Sequence, residues 1–129
     1  MLDRKAILER LKTFPYDKSK FWISTGGAMV LHGVRPYTHD IDVGCEKEIA
    51  EALVASGCQV IPFPDGGKKI VFDGVIEVFE NWSRGDTVII DTYRVLTLDS
   101  IIDIKRRLGR EKDFRDIELI ENFKKTKNA

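Results

Sequence analysis

The chain changes its hydrophobic period repeatedly between Phe21 and Val43, which restricts it to folds that mix strands and helices. Phe21-Trp22-Ile23-Ser24-Thr25 is aromatic and β-branched, the composition of a short strand. Gly26-Gly27 breaks that run, and Ala28 to His32 begins a helix that Gly33 stops. After a loop through Pro36, Asp40-Ile41-Asp42-Val43 alternates polar and apolar side chains, as a half-buried strand does.

The flanking segments extend this pattern. Residues 3–13 place Ile7, Leu8 and Leu11 on one helical stripe, with Asp3 positioned as its cap and Pro15 beyond its end. Glu46 to Ser56 reads as a helix with Ile49, Leu53 and Val54 inward and Gly57 as its stop. Cys58 to Phe63 reads as a strand. Lys69–Phe72 and Val75–Phe79 flank Asp73-Gly74, a dipeptide that favours a tight hairpin turn. Thr87 to Tyr93 reads as one more strand. Beyond Asp99, Ile101, Ile102, Ile104 and Leu108 form one helical stripe, and Phe114, Ile117, Leu119, Ile120 and Phe123 form the next. The expected architecture is α/β (α+β), a small mixed β-sheet flanked by helices, with the hairpin making the sheet mixed.

With 129 residues, the chain fits a single domain spanning 1–129 that can bury its own core. The 33% charged content argues against a membrane span, and the uncharged stretch Phe21–Val34 is too short for one. Twenty-one basic residues balance twenty-one acidic ones, which disfavours a globally basic nucleic-acid binder. Cys45 and Cys58 form no CxxC pair and read as buried thiols. No basic start leads into an apolar run and a cleavage site, so the expected location is the cytoplasm.

Two features between Thr25 and Val43 carry chemistry. A strand running through Gly26 and Gly27 into a helix lets a phosphate approach the backbone, where the amides of a helix start favour an anion. Asp40 and Asp42 lie two apart on a strand, so their carboxylates share a face roughly 6.6 Å apart at the backbone. Such a pair suits hard divalent cations such as Mg²⁺, which share their sites with substrate phosphates. Taken singly, a Gly-Gly is usually a turn and an Asp-x-Asp strand a solvated face. Their succession within a short stretch is what gives them weight.

Gly-Gly, a short helix ending in His32-Gly33, then Arg35-x-x-Thr38-x-Asp40-Ile41-Asp42-Val43 resembles the signature of the nucleotidyltransferase superfamily with the DNA polymerase beta fold. The closest likeness is to minimal bacterial antibiotic nucleotidyltransferases and to those of toxin–antitoxin or abortive-infection pairs. Leu96 to Lys105 and Gly109 to Ile117 resemble that group's closing segment, in which a helix presents a lysine before an Arg-x-Lys-Asp-x-x-Asp stretch. The resemblance implies the nucleotidyltransferase fold, two Mg²⁺ ions, and transfer of a nucleoside monophosphate from an NTP, expected to be ATP, to a hydroxyl acceptor with release of pyrophosphate. It implies Asp40 and Asp42 as catalytic metal ligands, Gly26 and Gly27 as the triphosphate cradle, and Lys105 as a further nucleotide contact. Glu77 best matches the third carboxylate, as base or metal ligand, where the family more often has Asp; Asp91 is the fallback. The implied partners are a second copy of the chain or a toxin–antitoxin partner. The alternative is a catalytically degenerate nucleotide- or partner-binding module of the same fold.

The remaining polar residues have simpler readings. Lys105 is equally an exposed lysine on an amphipathic helix. Arg35 and Thr38 are expected to position the loop before the aspartates, and His32 to pack at a helix end. Asp113 and Asp116 are expected to pair with Arg110 or Lys112 on a solvated face. Trp22 and Trp82 read as core. Basic residues from Lys105 to Lys127 are interleaved with acidic ones, so RNA contact is allowed but not indicated. Gly67-Lys68 lacks the other residues of a phosphate loop, and no GxGxxG, HExxH or GxSxG occurs.

Overall fold

The computed structural model describes residues 1–64, 66–81 and 84–127. Among the described residues, five α-helices and seven strands are arranged as α1 (Arg4–Leu11), β1 (Phe21–Ser24), α2 (Thr25–His32), β2 (Ile41–Cys45), α3 (Lys47–Ala55), β3 (Gln59–Pro62), β4 (Lys68–Val71), β5 (Ile76–Glu80), β6 (Thr87–Ile90), β7 (Tyr93–Leu96), α4 (Leu98–Leu108) and α5 (Glu111–Lys127). The strands form one mixed sheet in the order β3-β4-β5-β2-β1-β7-β6. β2 pairs in parallel with β5 and β1 with β7, while the other neighbours are antiparallel.

The period-two reading of β2 holds. Ile41, Val43 and Cys45 are buried, as are Ile76 and Val78 on β5, so each polar residue between them is sent to the opposite face. The core continues through Ile7, Phe21, Trp22, Ile23, Leu53, Ile70, Val95 and Ile101. α2 packs on β1, β2 and β7 and touches α1 and α4. Local caps follow the sequence: Asp3 Oδ1 accepts from Ala6 N at 2.9 Å, and Gly33 closes α2 with φ +90°. No helix among the described residues is long and apolar enough to cross a membrane.

Several expectations are corrected. Thr87–Tyr93 is not one strand. It turns at Asp91-Thr92 and returns as β7, with Ile90 paired to Tyr93. Gly26-Gly27 does not break the chain before α2 but lies in its first turn, which Thr25 begins. Asp73-Gly74 forms no two-residue turn. The connection spans residues 72–75, and Asp73 Oδ1 accepts from Val75 N (2.9 Å) and Ile76 N (2.7 Å). Val54, Leu108, Phe114 and Leu119 are exposed rather than inward, so α5 buries chiefly Ile120 of its apolar stripe. Cys45 is buried, and burial pushes its thiol up to about 12, whereas Cys58 is only half-buried. Trp22 is core; Trp82 lies outside the described residues.

The β6–β7 turn has positive φ at both central residues, Asp91 (+49°) and Thr92 (+75°), the twist that suits a two-residue hairpin. Aspartate tolerates this region; a β-branched threonine does not. Relief of left-handed strain is worth about 1–2 kcal/mol, against about 0.5–1 kcal/mol for the added freedom of glycine in the unfolded chain. Thr92→Gly is therefore expected to stabilise the protein by about 0.5–1 kcal/mol, read from urea unfolding midpoints. A lower midpoint would show that Thr92 Oγ1, which accepts from Lys18 Nζ at 2.7 Å, matters more than the strain.

Candidate metal and nucleotide site

The parallel register of β2 and β5 sets Asp42 directly beside Glu77. Asp40 stands two residues before Asp42 and therefore on the same side. The three side chains are half-buried and can offer carboxylate oxygens that all lie within 4.8 Å of one another. Asp91 takes no part in this group: it sits in the β6–β7 turn and pairs with Arg4.

Burial and mutual repulsion shift the acids. Asp40 is raised from the ordinary 3.8 to about 6, first by burial, then by its hydrogen bond to Glu77 and by the charges of Asp42 and Glu77. Burial also raises Asp42, opposed by the hydroxyl of Thr25, which donates to Asp42 Oδ2 at 2.8 Å. Thr25 holds φ +41°, a strained conformation at the strand–helix junction, and Ser24 pairs with Asp42 across the sheet. Lys69 on β4 places Nζ 2.5 Å from Glu77 Oε2, which raises the pKa of the ammonium.

These acids form one wall of a cleft of about 820 Å³. Thr25 and Gly26 stand beside them, and Lys105, Arg110, Lys112 and Arg115 from the α4–α5 corner also line it, as do Arg35 and Asp116. Gly26 allows close packing: a Cβ there would stand 2.6 Å from both Arg35 Nη2 and Thr38 Oγ1. Gly27 does not line the cleft but packs against Ile23 and Ile41 underneath it. Thr38 Oγ1 donates to the Asp40 carbonyl at 3.2 Å, the loop-positioning contact expected of it. His32 donates from Nε2 to the Leu96 carbonyl at 2.7 Å, a packing role at the end of α2.

Lys105 is not an exposed helix lysine. Its side chain is 7% exposed, with Nζ 2.9 Å from Asp116 and 3.6 Å from Asp113. Asp113 is not on a solvated face either. It is fully buried, and Arg110 grips it through Nε at 2.7 Å and Nη2 at 3.1 Å, holding its carboxyl below the usual range. Arg35 Nη1 completes the network at 3.4 Å from Asp116. Sequence reasoning missed Lys69 and Thr25 altogether. A two-residue turn at Asp73-Gly74 would have set Lys69 opposite Val78; only the observed pairing with Phe79 puts it diagonal to Glu77 on the same face.

No protein-family model and no curated protein sequence matches the chain. The donor set therefore carries the argument. It consists of carboxylate oxygens with no thiolate among them, which fits Mg²⁺ rather than a softer ion. A divalent cation would also relieve the repulsion that adds to burial in raising Asp40 and Asp42.

Two outcomes follow from these electrostatics. A carboxyl raised on folding binds its proton more tightly in the native state, so the stability it contributes is lost as pH climbs from 3.8 to about 6. In chelator-treated protein, the wild type should lose stability relative to Asp40→Asn across that window; a constant difference in urea midpoint would contradict it. Lys105→Met should cost about 3 kcal/mol without any nucleotide present, because it removes a cation from a buried carboxylate network. An unchanged melting temperature would show that Lys105 is not a structural tie.

Proposed function

We propose that the protein is a Mg²⁺-dependent nucleotidyltransferase that moves a nucleoside monophosphate from an NTP to a hydroxyl acceptor and releases pyrophosphate. The supporting observation is the placement of Asp40, Asp42 and Glu77 within 4.8 Å of one another at one side of a cleft also lined by cationic residues. Bound at these carboxylates, Mg²⁺ supplies charge neutralisation for the phosphates and for the attacking and leaving oxygens. ATP is the expected donor.

The chain's own groups have separable tasks. Asp40 and Asp42 hold the cation, and Thr25 fixes the orientation of Asp42 through its hydrogen bond. Gly26 lets Arg35 and Thr38 close against the backbone at the start of α2, on the lining of the cleft. Lys112 and Arg115, both exposed on the cleft wall, are placed to meet phosphate oxygens. The acceptor oxygen bonds to the α-phosphorus as the bond to pyrophosphate breaks. Its proton passes to Glu77, the carboxylate of the set that is not assigned to the cation. Phosphoryl transfer depends on positioning and charge more than on covalent help. Nucleotide chemistry and the unpaired thiols Cys45 and Cys58 both suit the cytoplasm.

Asp42→Asn keeps the hydrogen bond from Thr25 and relieves repulsion, so its unfolding midpoint should equal or exceed that of the wild type. Its turnover should fall by about 10³-fold or more, as for loss of a principal electrostatic contact in the transition state. The measurement is Mg²⁺-dependent transfer of α-labelled ATP to fractions of a cell lysate, with pyrophosphate counted. Equal labelling by the wild type and the variant would refute the proposal. ATP binding without pyrophosphate release across those acceptors would favour a nucleotide-binding module instead.

A further inference from the structure

The carboxylate set already holds a cation of its own. β4 pairs antiparallel with β5, so Lys69 faces Phe79 and stands diagonal to Glu77 on the same side of the sheet. A lysine stem spans that diagonal, and the ammonium reaches Glu77 Oε2 at 2.5 Å with about a quarter of the side chain exposed. Among the described residues, no other lysine or arginine forms an ion pair with Asp40, Asp42 or Glu77. Lys105, the cation the sequence emphasises, is paired with Asp113 and Asp116 instead.

We propose that the Lys69 ammonium takes the place of one of two divalent ions, so that the protein's own carboxylates bind a single divalent ion, through Asp40 and Asp42. The inference rests on the metal-site reading above and concerns only the number of ions. Charge supports it. Three carboxylates are balanced by one ammonium and one dication, whereas a second dication beside the ammonium would leave the half-buried site with twice the excess positive charge it would have without the ammonium. Paired metal ions stand about 3.5–4 Å apart, so two dications within one set whose donor oxygens all lie within 4.8 Å of one another would also crowd the ammonium on Glu77. The ion pair fixes Glu77 without a metal, which accounts for a glutamate serving here. Its longer arm reaches the lysine on the neighbouring strand.

The test counts ions without relying on turnover. Mn²⁺ is titrated into nucleotide-free, chelator-treated protein and followed by electron paramagnetic resonance and calorimetry. The wild type is expected to bind one Mn²⁺ per chain, with the spectrum of an isolated ion. Lys69→Met and Lys69→Gln remove the ammonium from a partly exposed position and are expected to bind two, with the broadened spectrum of a coupled pair. Lys69→Arg keeps the charge and is expected to bind one. Two ions in the wild type would overturn the inference and leave the metal site intact. A single ion in every variant would overturn it equally, because Lys69 would then be excluding nothing. No bound ion in any of the proteins would overturn both this inference and the metal-site reading beneath it.

Discussion

Carboxylates repel one another, and a chain will not gather three of them unless something stronger holds their backbones. Here that constraint is the parallel pairing of β2 with β5, five residue pairs long, in which Ile41 meets Ile76 and Val43 meets Val78 in the core. Those four side chains are fully buried, each worth about 1.5–3 kcal/mol in transfer free energy. The register that buries them leaves Asp42 beside Glu77 on the other face. A slip by one residue would turn the acids into the core and the isoleucines outward. The repulsion is a local cost imposed by an apolar register. Burial first, and this repulsion after it, raises the proton affinity of Asp40 and Asp42.

The opposite side of the cleft is held by different physics. α4 ends at Gly109 in the left-handed region, and α5 starts two residues later. The corner is tied by Lys105 and Arg110 to Asp113 and by Lys105 and Arg35 to Asp116. Asp113 Oδ2 also accepts from Arg110 N at 3.1 Å, so this carboxylate caps the start of α5 and anchors the buried lysine together. The consequence is a division of labour among basic residues. Lys105, Arg110 and Arg35 are committed to holding the corner, while Lys112 and Arg115 stand exposed on the cleft beside them.

How far the sequence foretold this depended on how local each signal was. Asp40 and Asp42 were legible because strand parity alone puts them on one face. Glu77 was legible by parity too, although only the β2–β5 register brings it to Asp42. The Asp91-Thr92 turn was missed because neither residue is glycine or asparagine, so a break that rests on two left-handed φ values left no compositional mark. Lys105 was found but misread: its helical stripe looks the same whether its polar side meets water or the acids of the next helix. Lys69 gave no local signal, because its partner lies on the neighbouring strand and only the pairing of β4 with β5 makes them neighbours.

Gly26 and Thr25 show why the junction between β1 and α2 is so restricted. A side chain at Gly26 would collide with Arg35 and Thr38, the residues that bring the loop back towards Asp40. Arg35 leads from there to Asp116 on α5, so this loop touches both walls of the cleft. Thr25 meanwhile accepts a left-handed φ in order to place its hydroxyl on Asp42. That strain costs of order 1–3 kcal/mol, and a residue serving only to begin a helix would have no reason to bear it. Strain, close approach and crowded charge therefore meet within a few residues of one carboxylate, Asp42. Such a conjunction is expected where a backbone has been shaped around a charged group rather than around its own packing.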